Sequence, residues 1–387
     1  MRMYKTHKIH IALGLLALCV VFALLPVFGL AVDQEPCDGD HSGWTKLESV
    51  DQLESGGNYY LENDVDFSSV SLTANRISVK GNLNLCLNGH KLILGNNYLR
   101  CEGSSSASIT VNICDCKDTG SIESSGTTNA TVYIDEGNLN LWSGTIIGAK
   151  GGSSNISGGG VCVRYNGVFN MYDGTITGGY ANNGGGVLVY GTFNMRGGSI
   201  EHNNGYTNGG GVYVDSGSFN MYDGNISSNT AEQLSGGGIY ASGAFYMKNG
   251  TITNNDAAFT GGGLYLGSEG GTIKGGTIEN NTAYSNGGGV YYVGKLYVSG
   301  QPVITGNTTG GSADNLYVYS SKITVDSPLT DGAYIGVSVN KTGAFTTAGC
   351  GEYAKYFHSD DDKYVVLADA DGVLSIGEPP PHNHYIC

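Results

Sequence analysis

The chain has 387 residues and a formal net charge of −15, with only 14% of residues charged against roughly a quarter in ordinary domains. Such an acidic balance argues against nucleic acid or an anionic membrane as the main partner. Glycine, at 64 residues, is more than twice its usual share of about 7%, yet it follows no collagen period, so an internal repeat is sought before any division into domains.

Met1 to His10 is cationic, Ile11 to Leu25 is apolar, and Pro26 leads into Gly29-Leu30-Ala31. That order is a secretory signal peptide over residues 1–31, cleaved after Ala31, and it places the protein outside the cell or on its surface. Beyond this segment no transmembrane domain is expected. Leu16-Ala-Leu-Cys19 imitates a lipoprotein box, but Leu18 is a poor residue before the cysteine and the apolar run continues past it. The cations Arg2, Lys5 and Lys8 belong to the signal, so the exported chain stands near −18.

Residues 32–75 are expected to form an N-terminal cap, with Leu53–Leu61 and Phe67–Leu72 covering the open end of the body. Within 76–340, triple glycines begin at Gly158, Gly184, Gly209, Gly236, Gly261 and Gly287, at intervals of 25 to 27 residues. Each repeat carries three β-type runs, such as Val212–Val214, Phe219–Tyr222 and one centred on Ile226, separated by Gly, Ser, Asn and Asp turns. Strand-length runs without helical period, repeating every ~25 residues, give an all-β fold: a right-handed parallel β-helix with one three-strand coil per repeat. Earlier coils are read at Ile77–Ile113 and Val132–Trp142, and later ones to about residue 340.

Alternation assigns the faces. Phe169/Met171, Phe193/Met195, Phe219/Met221 and Phe245/Met247 should stack inside, with Ile176, Ile200, Ile226, Ile252, Ile278 and Ile304 on the third run. Three residues after each of the last five isoleucines stands Asn203, Asn229, Asn255, Asn281 or Asn307, a register that suits a rung-to-rung amide ladder at a turn. The Asn-x-Ser/Thr sequons this creates are by-products of turn composition. Residues 341–377 should form a C-terminal β cap, and 378–387, with Pro379-Pro-Pro381, a Pro-rich tail or truncated linker.

The Gly-Gly-Gly-Val-Tyr and Phe-Asn-Met-Tyr-Asp-Gly-x-Ile-x-x-Asn repeats, with Asn58–Val65 and Leu85-Cys-Leu-Asn-Gly-His90, resemble exported right-handed β-helix proteins of gut anaerobes described as adhesin-like. More distantly, the pattern is similar to the repeats of polymorphic outer-membrane proteins. The resemblance covers about residues 37–387. It implies the pectate-lyase-like fold and the cell exterior, and assigns no activity. No C-terminal sorting motif and no membrane barrel accompany it.

Many folds of that type cleave polysaccharides, but fold alone is weak warrant. The exported chain holds four arginines (Arg76, Arg100, Arg164 and Arg196) and lacks the Gly-His-Gly, Asn-Thr-Asp and Arg-x-Lys signatures of polygalacturonases. Asn88-Gly-His90 reads as a polar turn. No catalytic residue, cofactor or metal site is assigned. The better candidate is an outward stripe of Trp142, Tyr172, Arg196, Tyr222, Lys248 and Lys274, one per coil at ~4.8 Å. Aromatics and cations in line suit a polysaccharide or a host or matrix surface, with Asn170, Asn194 and Asn220 as hydrogen-bonding neighbours. The competing reading is a solvated stripe of cross-rung pairs serving stability alone, the face of a passive spacer.

Asp173 and Asp223, two coils apart, stand at a spacing that suggests inverting glycosidases, but both lie in Asp-Gly turns. Leu188, Tyr213, Tyr240, Tyr265 and Tyr291 form a second outward column. Eight cysteines follow the signal; Cys86 and Cys114, one coil apart, are placed either for a disulfide or for a buried thiol ladder. Cys114-Asp-Cys116 lacks the partner spacing of a zinc site. His382-x-His384 with Cys387 is a weak metal candidate in the tail.

Overall fold

Three valine-rich, Phe/Met-rich and isoleucine-centred runs, each bounded by turn residues, recur too closely to form hairpins and so return to the same three positions at every coil. The computed structural model shows this arrangement. It describes residues 35–37, 39–104, 108–151, 158–340 and 343–380. The proposed signal peptide and the His382, His384 and Cys387 set lie outside the described residues. No helix among those described is long and apolar enough to cross a membrane.

The body is a parallel β-helix of about 11 turns. On its first strand line, Val161 pairs with Val187, Val187 with Val212, Val212 with Ile239 and Ile239 with Leu264. On its second, the expected Phe/Met positions are register partners from Phe169–Met171 through Phe245–Met247. The Phe169, Phe193 and Phe219 rings stack at 4.8 and 4.6 Å, and Phe245 tilts against Phe219 at 5.8 Å. The third line carries Ile176, Ile200, Ile226, Ile252, Ile278 and Ile304 in one fully buried column.

A fourth, shorter strand line also runs through the repeats: Tyr180–Asn183, Asn204–Asn208, Thr230–Ala231, Asp256–Ala257, Thr282–Ala283 and Thr308–Thr309. From Asn204–Asn208 on, it follows the ladder asparagine of its repeat; Tyr180–Asn183 follows Gly179 instead. Only two or three residues pair per rung, and polar Thr, Asn and Asp side chains dominate, so no apolar alternation announces it.

Each glycine of the triplet has its own reason. The first turns the chain, with φ of 61° to 77° from Gly158 to Gly287. The second lies where a β carbon would come 2.1–2.4 Å from a backbone oxygen of the adjoining coil or the facing turn. Only glycine lets the backbones approach this far.

Parallel pairing begins upstream of the perfect repeats: Gly57–Tyr60 pairs with Leu83–Cys86, which pairs with Thr110–Cys114. Before it, the helix Val50–Ser55 buries Val50 and Leu53, with Gln52 accepting from Ser49 N in a capping box. After Val339, Phe357–Ser359 lays one further parallel strand on Ile335–Val337, and Gly343–Ala344, Val365–Ala368 and Leu374–Gly377 form an antiparallel three-stranded sheet, with Phe345, Phe357 and Leu374 buried.

One buried carboxyl lacks the satisfaction its surroundings enjoy. Asp314 takes bonds from Gly287 N and Thr309 Oγ1 on Oδ2, while its Oδ1 is buried with no partner. Burial, then, holds this carboxyl above the usual carboxylate range. A raised folded-state pKa means stability is greatest below the unfolded value and is lost as pH rises through the folded one. Asp314→Asn is therefore expected to raise the unfolding midpoint at pH 8. The gain should shrink as pH falls toward the ordinary aspartate value, because the buried carboxyl takes up its proton at higher pH than an unfolded one. Parallel thermal melts of both proteins across that range check it.

Candidate functional site

The stripe residues each follow the last interior residue of a second-line strand, so the ladder fixes their register. Backbone bonds run from Tyr172 N to Leu141 O, Arg196 N to Met171 O, Tyr222 N to Met195 O, Lys248 N to Met221 O and Lys274 N to Met247 O. All six expected residues lie in one column. They do not behave alike.

Trp142 and Tyr172 stack face to face, with centroids 4.0 Å apart and planes 3° from parallel. Arg196 continues the stack, its guanidinium 5.8 Å from the Tyr172 centroid and 5.0 Å from that of Tyr222. Tyr222 then meets Tyr246 edge-on at 6.1 Å. The aromatic faces are turned along the helix axis toward one another. The geometry that would lay a sugar flat on them is taken by the neighbouring rung, and solvent meets ring edges instead.

The neighbouring asparagines are likewise committed. Each donates from Nδ2 to Oδ1 of the rung before: Asn220 to Asn194, Asn194 to Asn170, Asn170 to Asn140, and so back through Asn112 and Asn84 to Asn58, at 2.7–2.9 Å. Trp142 Nε1 also donates to Asn112 Oδ1. The amides read in sequence as sugar contacts are first of all a surface ladder.

Lys248 and Lys274 stand apart from this. Neither forms an ion pair among the described residues, nor does Arg196. The residues that follow the two lysines are Asn249 and Gly275, where the earlier rungs carry Asp173 and Asp223. Trp142, Tyr172, Arg196 and Tyr222 thus form an internally stacked post, which the cations Lys248 and Lys274 continue.

Asp173 and Asp223 are exposed, and each accepts from the amide of its own turn glycine, Gly174 N at 2.8 Å and Gly224 N at 2.9 Å. That is the local reason for aspartate in an Asp-Gly turn. Asn88 and Gly89 have φ of 50° and 80°, so Asn88-Gly-His90 is the polar turn that sequence suggested. The second column is a ring stack: Tyr213, Tyr240, Tyr265, Tyr291 and Tyr317 follow at 5.1, 4.5, 5.6 and 5.8 Å. Leu188, expected outside at its head, is buried against Cys162 and Ala130. Tyr317 extends it beyond the residues read from sequence.

Cys86 and Cys114 are register partners, as their one-coil spacing predicted, and both thiols are free. Cys101 and Cys162 are buried alone, and burial pushes each thiol up to about 12, which makes them inert. Sequence reading missed that the fold brings Cys37, His41, Cys86 and Cys116 together. The signal was the coil length itself: Cys116 falls one coil beyond Asn88, just past the strand that ends in Cys86. Separations of 45 and 30 residues hid it from any search for compact ligand spacing.

Compared with known proteins, no family model, no curated protein and no solved structure matches this chain.

Proposed function

We propose that this chain is an exported, adhesin-like β-helix that holds an acidic polysaccharide along the cations of its stripe. The observation carrying this reading is the set of Arg196, Lys248 and Lys274 on one register column, without ion-pair partners among the described residues, in a chain of net charge −15. Cations without ion pairs on an acidic protein are a local exception to its field, and Lys248 and Lys274 on adjoining rungs at ~4.8 Å, with Arg196 two rungs before Lys248, suit a linear polyanion running along the rod. The signal-like N-terminus and the resemblance of the repeats support placement outside the cell.

The closed ring stack from Trp142 to Tyr222 favours the spacer reading for that part of the stripe alone. Cleavage finds less support, since the two candidate carboxylates hold their own turns.

The test is retention of the full chain on immobilised polygalacturonate and on dextran at several salt concentrations. Retention is expected on polygalacturonate only and should fall steeply with salt. Two exposed charge contacts at about 0.7 kcal/mol each make Lys248→Gln/Lys274→Gln about tenfold weaker. Trp142→Ala should bind as the parent does. Equal retention on both matrices, or a double variant that binds unchanged, would overturn the proposal.

A further inference from the structure

The column that holds the stripe continues toward the N-terminus as Tyr60, Cys86 and Cys114, one rung each. Against these rungs lie residues 35–37 and 39–44, the latter leading into the strand Thr45–Lys46 and its pairing with Tyr59 and Tyr60. Cys37 and His41 from these residues, Cys86 from the first coil and Cys116 from the second put their ligand atoms within 4.8 Å of one another.

Two of the six ligand–ligand spacings match the edges of a tetrahedron, and the rest fall within 4.8 Å. With zinc–sulfur bonds of about 2.3 Å and zinc–nitrogen bonds of about 2.0–2.1 Å, tetrahedral coordination sets sulfur–sulfur edges at about 3.8 Å and sulfur–nitrogen edges at about 3.6 Å. Cys86 Sγ and Cys116 Sγ stand 3.6 Å apart, and Cys37 Sγ and His41 Nε2 3.5 Å apart. Cys37 and Cys86 are buried, and Cys116 and His41 are half-buried.

The surroundings fix the ligands. The His41 ring stacks on Tyr60 at 4.6 Å and 14°, and Trp44 meets it edge-on at 5.8 Å. Asn88 Oδ1 lies 3.5 Å from Cys116 Sγ. Cys114 packs in the same cluster beside Cys37 and Cys86, with its thiol also donating to Leu85 O. Trp142, the first residue of the stripe, packs against the same cluster.

We propose that Cys37, His41, Cys86 and Cys116 form a closed Cys3His site for a thiophilic divalent cation, zinc above all, that pins the leading segment to the first two coils. Four protein ligands leave no position for water or substrate, so the role is structural. A parallel β-helix has a raw edge at its first coil, and this is where the site fastens chain across it. Binding takes the three cysteines as thiolates and releases their protons, so affinity rises with pH until hydroxide competes.

The experiment is metal analysis of the full chain purified without chelator, combined with thiol alkylation and intact mass. About one zinc per chain is expected, with Cys37, Cys86 and Cys116 protected from alkylation until a strong chelator is added. Cys86→Ser and His41→Ala should each lower the zinc content at least tenfold, while Cys162→Ala should keep it. His41 is half-buried and outside the β-helix interior, so His41→Ala tests the site even where Cys86→Ser fails to fold. Cobalt(II) added to the apoprotein should give the d–d and thiolate charge-transfer bands of a tetrahedral site. A metal-free protein lighter by two hydrogens, with a disulfide among these cysteines, would overturn the proposal, as would zinc retained in full by both variants.

Discussion

Replacing Asn255 with alanine is expected to cost about 3–5 kcal/mol, because it leaves several buried polar groups without partners at once. Asn255 is 1% exposed. Its Nδ2 donates to Ile226 O, Thr253 O and Asn281 Oδ1, and its Oδ1 accepts from both the backbone N and Nδ2 of Asn229. Alanine removes all five bonds and strands the Asn229 backbone N–H and one of its Nδ2 hydrogens away from water. Asn220→Ala in the surface ladder breaks the same kind of amide pair, but water replaces the lost partner, and about 0.5–1.5 kcal/mol is expected. Unfolding midpoints of the two variants in denaturant should therefore differ severalfold. Equal shifts would mean that the inner ladder follows the fold without supporting it.

The second large effect is expected at the middle glycine of a triplet. A β carbon on Gly262 would lie 2.1 Å from Thr282 O and 2.4 Å from Gly288 O, both backbone atoms held in rung hydrogen bonds. No rotamer relieves such a contact; the rungs must separate. Gly262→Ala should cost about 3 kcal/mol or more, at the upper end of overpacking, and should lower the soluble yield. Gly351→Ala is the control, since its nearest neighbour beyond the chain would be Gly372 Cα at 3.3 Å. A Gly262→Ala protein melting with the parent would refute the close-approach argument.

What sequence made legible was whatever repeats. The interior Phe/Met and isoleucine columns, the Ile-x-x-Asn ladder and the register of the stripe all follow from a 25- to 27-residue period plus strand alternation. The fourth strand line was illegible because its strands, often no more than one polar residue beside one buried alanine, are too short to show alternation. The facing of the Trp142 and Tyr172 rings was illegible for another reason. Alternation states which side of a sheet a ring leaves from, while its plane is set by the ring one rung away. The thiol and imidazole cluster lay deeper still, since Cys37 and His41 belong to no repeat and reach Cys86 and Cys116 only once the leading segment folds back over the first coils.

The two asparagine ladders run in opposite senses. In the buried one, Asn203 donates to Asn229, Asn229 to Asn255, and so on through Asn281 and Asn307 to Asn315, always toward the C-terminus. In the surface one every amide donates toward the N-terminus. From Asn229 on, each buried asparagine takes two donors from the rung before and hands two to the next acceptor, so the row needs a final member that only accepts. Asp360 is that member: its two carboxylate oxygens take the Asn315 backbone N and Nδ2. At the other end Gly179 N fills the open acceptor of Asn203. Both termini are thus closed by groups that are blind to how many asparagines stand between them, and the rod has a growth rule: whole coils enter or leave the middle without disturbing either stop.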